Sequence, residues 1–242
     1  MEDIKGNLDR VHGLIRSAAE SAGRQEEDVL LVAVSKTRTP EEINTAIQAG
    51  VTDIGENKVQ EIVDKYEDID PVRWHMIGHL QTNKVKYIID KVDMIHSVDS
   101  LKLAREINKR AAAKDLTMDI LIQINPAQEE SKFGVSLEET RELIDQILAE
   151  CDRIRIRGLM SVAPIAEDPR DVKPYFDKVK AQYDEFGKID HPNLDFKYLS
   201  MGMSHDFQVA IEAGSNLIRV GSAIFGERDY EKFRRENNGN AQ

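Results

Sequence analysis

The sequence predicts a closed parallel (β/α)8 TIM barrel, an α/β fold, and three observations carry that prediction. Short apolar, β-branched-rich runs alternate with helix-period stretches eight times along the chain. With 242 residues, each unit has about 30, the size of one βα step. The first apolar run is followed by Ser35-Lys36-Thr37-Arg38, without a glycine, whereas an open doubly wound sheet calls for a glycine-rich loop there. Short connections with one crossover hand then make closure the economical topology.

The elements follow in order. Ile4, Leu8, Val11, Ile15, Ala18, Ala19 and Ala22 recur at three-to-four spacing, an extra N-terminal helix over 4–22 with Gly23 as its C-cap. Residues 29–35 (VLLVAVS) read as a strand buried on both faces. Thr39-Pro40-Glu41-Glu42 opens a helix with a threonine cap, proline at its first position and acids where the dipole favours them; it stops at Gly50. A strand over 51–56 precedes a helix over 57–66, and a strand over 74–79 precedes a short helix over 82–90. The same reading pairs 94–98 with 100–114, 118–125 with 136–149, 154–162 with 171–187, and 196–202 with 203–213. The last strand covers 216–226, before a polar helix or tail at 228–242. Ala46-Ile47-Gln48-Ala49-Gly50 and Ala210-Ile211-Glu212-Ala213-Gly214 echo each other, each ending a helix and feeding a strand. No linker divides the chain, so one domain is expected over 1–242.

Composition excludes several classes. The chain has 33 Lys and Arg against 44 Asp and Glu, a net charge of −11, which argues against a nucleic-acid backbone binder. A 40% hydrophobic content supports a real core. Cys151 is alone, so no internal disulfide forms. The longest apolar run, Val29–Val34, is far short of the ~20 residues of a membrane span, and the start has no signal core. A soluble, cytoplasmic protein is expected.

In such a barrel the chemistry sits at the C-terminal ends of the strands. Lys36 closes the first strand on the face of Val32 and Val34; if that face points inward, the amine loses hydration among apolar walls and becomes a nucleophile toward aldehydes. From position alone a solvated lysine is the commoner case. The seventh and eighth strands tip the balance. They end in Ser200-Met201-Gly202-Met203-Ser204 and Arg219-Val220-Gly221-Ser222, at the recurrent phosphate site of these barrels, where glycines admit a close backbone and serines offer hydroxyls. Arg219 shares the face of Gly221 and needs an acceptor, such as a ring nitrogen or a carboxylate. An aldehyde-reactive lysine, a phosphate cradle and an arginine over a ring nitrogen together describe pyridoxal 5′-phosphate.

The residues that carry this reading also carry a family likeness. Segments 32–37, 53–57, 74–84, 130–134, 158–160, 200–207 and 218–226 resemble, in order, those of the pyridoxal-phosphate homeostasis protein family. The resemblance implies a barrel similar to the N-terminal domain of alanine racemase, holding the cofactor as an internal aldimine on Lys36. It implies that Asn57 and Met201 flank the ring and that Arg219 faces the pyridine nitrogen. Ser200, Gly202, Gly221 and Ser222 take the phosphate, with His79 and Ser204 on the rim. Members of the family are thought to buffer and deliver the cofactor in vitamin B6 and amino-acid balance without an established reaction. The implied partners are the cofactor itself and PLP-dependent acceptor enzymes, and a monomer is expected. One departure is visible: Asn125-Pro126-Ala127-Gln128 stands where relatives usually have a glycine-containing turn.

A carrier is favoured over an enzyme. An arginine held positive at the ring nitrogen disfavours a pyridinium and weakens the electron sink, and eight βα units leave no second domain to supply an opposite-face acid/base. The alternative is a PLP-dependent racemase, lyase or aldolase using Tyr198, His79 or His205 for proton transfer. A phosphosugar isomerase, with Glu56 as its base, is the third reading. His75 and His79 lie ~13 Å apart on an extended strand, too far to share a metal. Asp206 beside His205 reads as first-turn dipole compensation, Cys151 as structural, and Lys84 and Lys86 as surface.

Overall fold

Eight parallel strands close on themselves in sequence order: β1 (Leu30–Val34), β2 (Asp53–Glu56), β3 (Arg73–Met76), β4 (Met94–Val98), β5 (Met118–Ile124), β6 (Ile154–Ser161), β7 (Leu194–Ser200) and β8 (Leu217–Val220), with β8 paired to β1. The computed structural model describes residues 3–129 and 131–227, so the tail expected over 228–242 lies outside the described residues, as does Glu130. The helices are α1 (Ile4–Ser21), α2 (Pro40–Gln48), α3 (Val59–Lys65), α4 (Leu101–Ala113), α5 (Thr140–Glu150), α6 (Lys173–Phe186), α7 (Phe207–Glu212) and α8 (Ser222–Phe225).

Local chemistry explains the boundaries that match. Thr39 Oγ1 accepts from the Glu42 amide at 3.3 Å while the Glu42 carboxylate accepts from the Thr39 amide at 2.9 Å, and Pro40 needs no amide partner. α1 is capped by Asp3, which accepts from the Gly6 amide at 2.9 Å, and it buries the spaced positions Ile4, Leu8, Val11 and Ile15 against α7 and α8.

Period-two alternation divides each strand between two layers. Ala33, Ile54, Met76, Ile95, Ile120 and Leu199 face outward into the layer shared with the helices. Met94, Leu121 and Met160 form a separate inner cluster with Tyr198. The inner face is otherwise unusually polar: Asp53, His75, His96, Ser200 and Arg219 are all buried there.

Five expectations change. The run 216–226 breaks at Gly221, where strand gives way to α8; the amides of Ile224 and Phe225 turn back to the Gly221 carbonyl at 2.9 Å. α7 starts at Phe207 rather than 203, because Asp206 takes the Met203 amide at 2.6 Å and closes a turn first. β3 stops at Met76, short of residue 79, and the stretch expected as a helix over 82–90 is a 3-10 turn, Thr82–Tyr87. β1 ends at Val34, which leaves Lys36 in the following turn and not on the strand.

Candidate functional site

The Lys36 turn is built by its neighbours. Ser35 donates its amide to Gly55 O at 3.0 Å and its hydroxyl to Glu56 at 2.8 Å. Thr37 adopts φ +63°, and its amide donates to Glu61 at 2.6 Å. Lys65 closes the arrangement, donating to Ser35 O at 3.2 Å, Glu56 at 3.0 Å and Glu61 at 2.8 Å. Two carboxylates and one ammonium of β2 and α3 thus clamp both residues that flank Lys36, whose side chain is half-buried. Burial pushes the Glu56 carboxyl up, to about 7, with Lys65 opposing and Glu61 reinforcing the rise. Glu56 faces α3 because Gly55 faces the barrel, so the isomerase reading, which needs Glu56 at the mouth, is set aside.

Register places the other half of the site beside this turn. Val32 on β1 pairs with Arg219 on β8, and Val34 pairs with Gly55 on β2. A Cβ on Gly221 would stand 3.2 Å from Val34 Cβ, so the last loop lies directly on the first strand. Gly202, at φ +90°, would put a Cβ 2.7 Å from Ala210 and 2.8 Å from the Phe207 backbone. Its bare Cα is what lets the β7 loop fold under α7. Ser204 bridges the two loops: its hydroxyl accepts from the Gly221 amide at 3.1 Å and the Ala223 amide at 3.4 Å. Ser222 is exposed.

Two sequence assignments shift. Met201, expected against the ring, is buried in the outer layer among the helix-facing residues. Ser200, expected on the phosphate, points inward, where its hydroxyl accepts from Arg219 and lies 3.3 Å from His96. Consecutive residues of a strand take opposite faces, so with Ser200 facing in, Met201 faces out. Ser204, placed on the rim from sequence, is the hydroxyl that joins the cradle.

Arg219 is buried, and its guanidinium donates to Ser161 O and Ser200 O, each at 2.9 Å, and to Ser200 Oγ. All three acceptors are neutral. Burial pulls its pKa down to about 10, with Asp206 opposing. The Ser161 hydroxyl beside it is buried with no hydrogen-bond partner among the described residues. Asn57 is half-buried and close under the end of the third unit: a Cβ on Gly78 would stand 2.3 Å from Asn57 O.

At the rim, His79 is exposed and stacks on Phe133 with ring centroids 3.8 Å apart and planes 12° from parallel. His205 is exposed and separate from Asp206, which serves the Met203 amide. Tyr198 lies lower in the barrel, on the wall of a cavity of about 430 Å³ at the opposite, N-terminal end, with Asp53, Arg73, Asp119 and Arg155. It therefore drops out as a proton-transfer partner at the mouth. Lys84 and Lys86 reach the Tyr87 ring, with ammonium–centroid distances of 5.6 and 4.8 Å. His96 and Asp53 escaped the sequence reading, although inward phase on β4 and β2 was the available signal. In the loop after β5, Gln128 itself takes the left-handed conformation, φ +53°, and Asn125 braces the loop through Glu129 O at 2.9 Å and Lys132 O at 3.2 Å.

Comparison with known proteins places the chain in a family. Residues 7–229 match the family model described as alanine racemase, N-terminal domain. The pyridoxal phosphate homeostasis protein of Aquifex aeolicus is 46% identical over 226 residues, covering 92% of this chain and 97% of that one. Its counterpart in Escherichia coli K12 is 41% identical over 240 residues, covering 96% and 100%. PipY of Synechococcus elongatus PCC7942, solved with PLP bound, superposes with a TM-score of 0.75 at 31% identity over 88% of this chain and 100% of that one. The chain belongs to the pyridoxal phosphate homeostasis protein family, on the alanine racemase N-terminal fold.

Proposed function

We propose that this protein binds pyridoxal 5′-phosphate through Lys36 and serves the homeostasis of that cofactor, as carrier and buffer rather than as a catalyst of turnover. The observation that carries the reading is a buried Arg219 with only neutral acceptors, held in register one strand away from the Lys36 turn. A buried guanidinium keeps its charge. Set toward a pyridine nitrogen, it leaves that nitrogen unprotonated. When bound, the cofactor supplies an amine-reactive aldehyde and an electron-withdrawing ring.

The residues present fit that group. Lys36 offers the amine as its covalent attachment point, and Asn57 borders the same mouth. The Gly202 and Gly221 backbones leave room that a side chain would fill, and Ser204 with Ser222 supplies hydroxyls for a phosphate. The unpartnered Ser161 hydroxyl is a further donor next to Arg219. Restraint of catalysis follows from the same arrangement: a positive arginine at the ring nitrogen weakens the electron sink, and of the three proton-transfer candidates Tyr198 lies at the far end of the barrel. PLP-dependent acceptor enzymes are the partner class this role implies, with the chain acting as a monomer in the cytoplasm.

The test is spectroscopic. Protein loaded with pyridoxal 5′-phosphate is expected to show a visible absorbance band that borohydride abolishes, with the pyridoxyl mass on Lys36 and no band in Lys36→Ala. A pyridoxyl mass on another lysine overturns the site. Lys36-dependent turnover of an amino acid overturns the carrier role.

A further inference from the structure

A single file of buried polar groups runs through the barrel from Arg219 to its N-terminal end. Arg219 donates to Ser200 Oγ; Ser200 Oγ lies 3.3 Å from His96 Nδ1; His96 Nε2 lies 2.9 Å from His75 Nδ1; and His75 Nε2 lies 2.8 Å from Asp53 Oδ1. Arg73 then grips Asp53 through Nε at 2.8 Å and Nη2 at 2.6 Å, and Thr52 donates to it at 2.7 Å. Asp53 and His75 also line the cavity of about 430 Å³ at that end.

The chemistry of the two ends fixes every proton between them. Arginine only donates, and a carboxylate only accepts. Asp53 therefore takes a proton from His75 Nε2, which leaves Nδ1 of the neutral ring as an acceptor. His96 must donate to it from Nε2, so its own Nδ1 accepts the Ser200 hydroxyl. The lone pairs of Ser200 are then free for Arg219, as observed. A charged imidazole in the middle would turn His96 round and leave the Ser200 proton without an acceptor in the file. Burial, reinforced by the charge of Arg219, holds the His96 pKa well below its ordinary value, in keeping with a neutral ring. Although burial opposes it, hydrogen bonds from His75, Arg73 and Thr52 hold the Asp53 carboxyl far below the usual range.

We propose that His75 and His96 are positioning residues that tie the orientation of the Ser200 hydroxyl, and with it the lone pairs offered to Arg219, to the Asp53 carboxylate at the opposite end of the barrel. The ring-nitrogen contact of the cofactor site is thereby set from the face that carries no site residue. The part that concerns the ring rests on the proposed function; the part that concerns the proton positions does not.

Long-range proton–nitrogen correlation on the full chain labelled with 15N-histidine reads the file directly. His75 and His96 are expected neutral, with the proton on Nε2, at pH 7. In Asp53→Asn the amide oxygen goes to Arg73 and its NH2 faces His75, so the His96 proton is expected to move to Nδ1. With 15N-ring-labelled pyridoxal 5′-phosphate loaded, the ring-nitrogen resonance is expected to shift in the same variant while the Lys36-dependent absorbance band persists. A His96 proton on Nδ1, or a charged imidazole, in the unsubstituted protein overturns the proposal without any variant. So does an Asp53→Asn protein that folds and keeps both the His96 tautomer and the ring-nitrogen resonance unchanged. Absence of the band in the unsubstituted protein would sink the proposed function and leave the tautomer result standing.

Discussion

Gln128 occupies a left-handed backbone position that glycine reaches without strain. The cost to a residue with a Cβ is about 1–2 kcal/mol, against which glycine loses about 0.5–1 kcal/mol in unfolded-chain entropy. Gln128→Gly is therefore expected to stabilise the protein by roughly 0.5–1 kcal/mol in urea unfolding. Gly202→Ala has the opposite sign. At φ +90° the new methyl is strained and also meets Ala210 at 2.7 Å, so a loss of about 2–4 kcal/mol is expected, with cofactor affinity falling as the β7 loop shifts. At the residue scale the position of Arg219 on the eighth strand was legible, whereas Lys36, expected to close the first strand, lies in the turn after it. Ser200 and Met201 were not legible, because one residue of phase decides which faces the barrel and which faces the helices, and at a strand end that phase is set by partners far along the chain.

The Glu56–Lys65–Glu61 clamp shows how an element can hold a residue it does not contain. α3 reaches across to both neighbours of Lys36, and its charge balance titrates near neutrality. Glu56 binds its proton more tightly in the folded chain, whose pKa is about 7, than in the unfolded one near 4.5, so its contribution to stability is whole below 4.5 and fades as pH rises to 7. Replacing it by glutamine removes the titration. The stability of Glu56→Gln relative to the unsubstituted protein is thus expected to rise between pH 4.5 and 7, and thermal melts at half-unit steps measure it. A flat difference across that window would rule out the raised pKa. Elements with local signals matched the sequence closely: 94–98 (MIHSV) is β4 residue for residue, and the Thr39-Pro40 start of α2 is capped as read. The run 216–226 looked like one strand because its apolar content is continuous; the bend at Gly221 depends on the first strand lying beside it.

At the scale of the whole molecule, closure is the delicate step. The β7–β8 pairing is short, with Ser200 opposite Leu217, and side chains complete it: Asn216 Oδ1 accepts from the Leu199 amide at 2.7 Å and its Nδ2 donates to Lys197 O at 2.8 Å. Asn216→Ala is expected to cost about 1–3 kcal/mol, with amide exchange accelerating at Leu199 and its neighbours more than in β5 or β6. The first helix, the segment after it and the turn after β1 reinforce this seam. Asn7 Nδ2 donates to Ile224 O at 2.9 Å, Arg24 reaches Ser215 O at 2.7 Å, and Arg38 reaches Gly226 O at 2.5 Å. These contacts join residues separated by about 190 or more positions, so they form only after residues 215–226 have been synthesised. Lys36 leaves the ribosome well over 150 residues before Ser204, Arg219 and Gly221. A nascent chain therefore has the proposed attachment lysine long before it has a pocket to put around it, so on that reading capture of an anionic aldehyde marks the finished barrel rather than assisting its assembly.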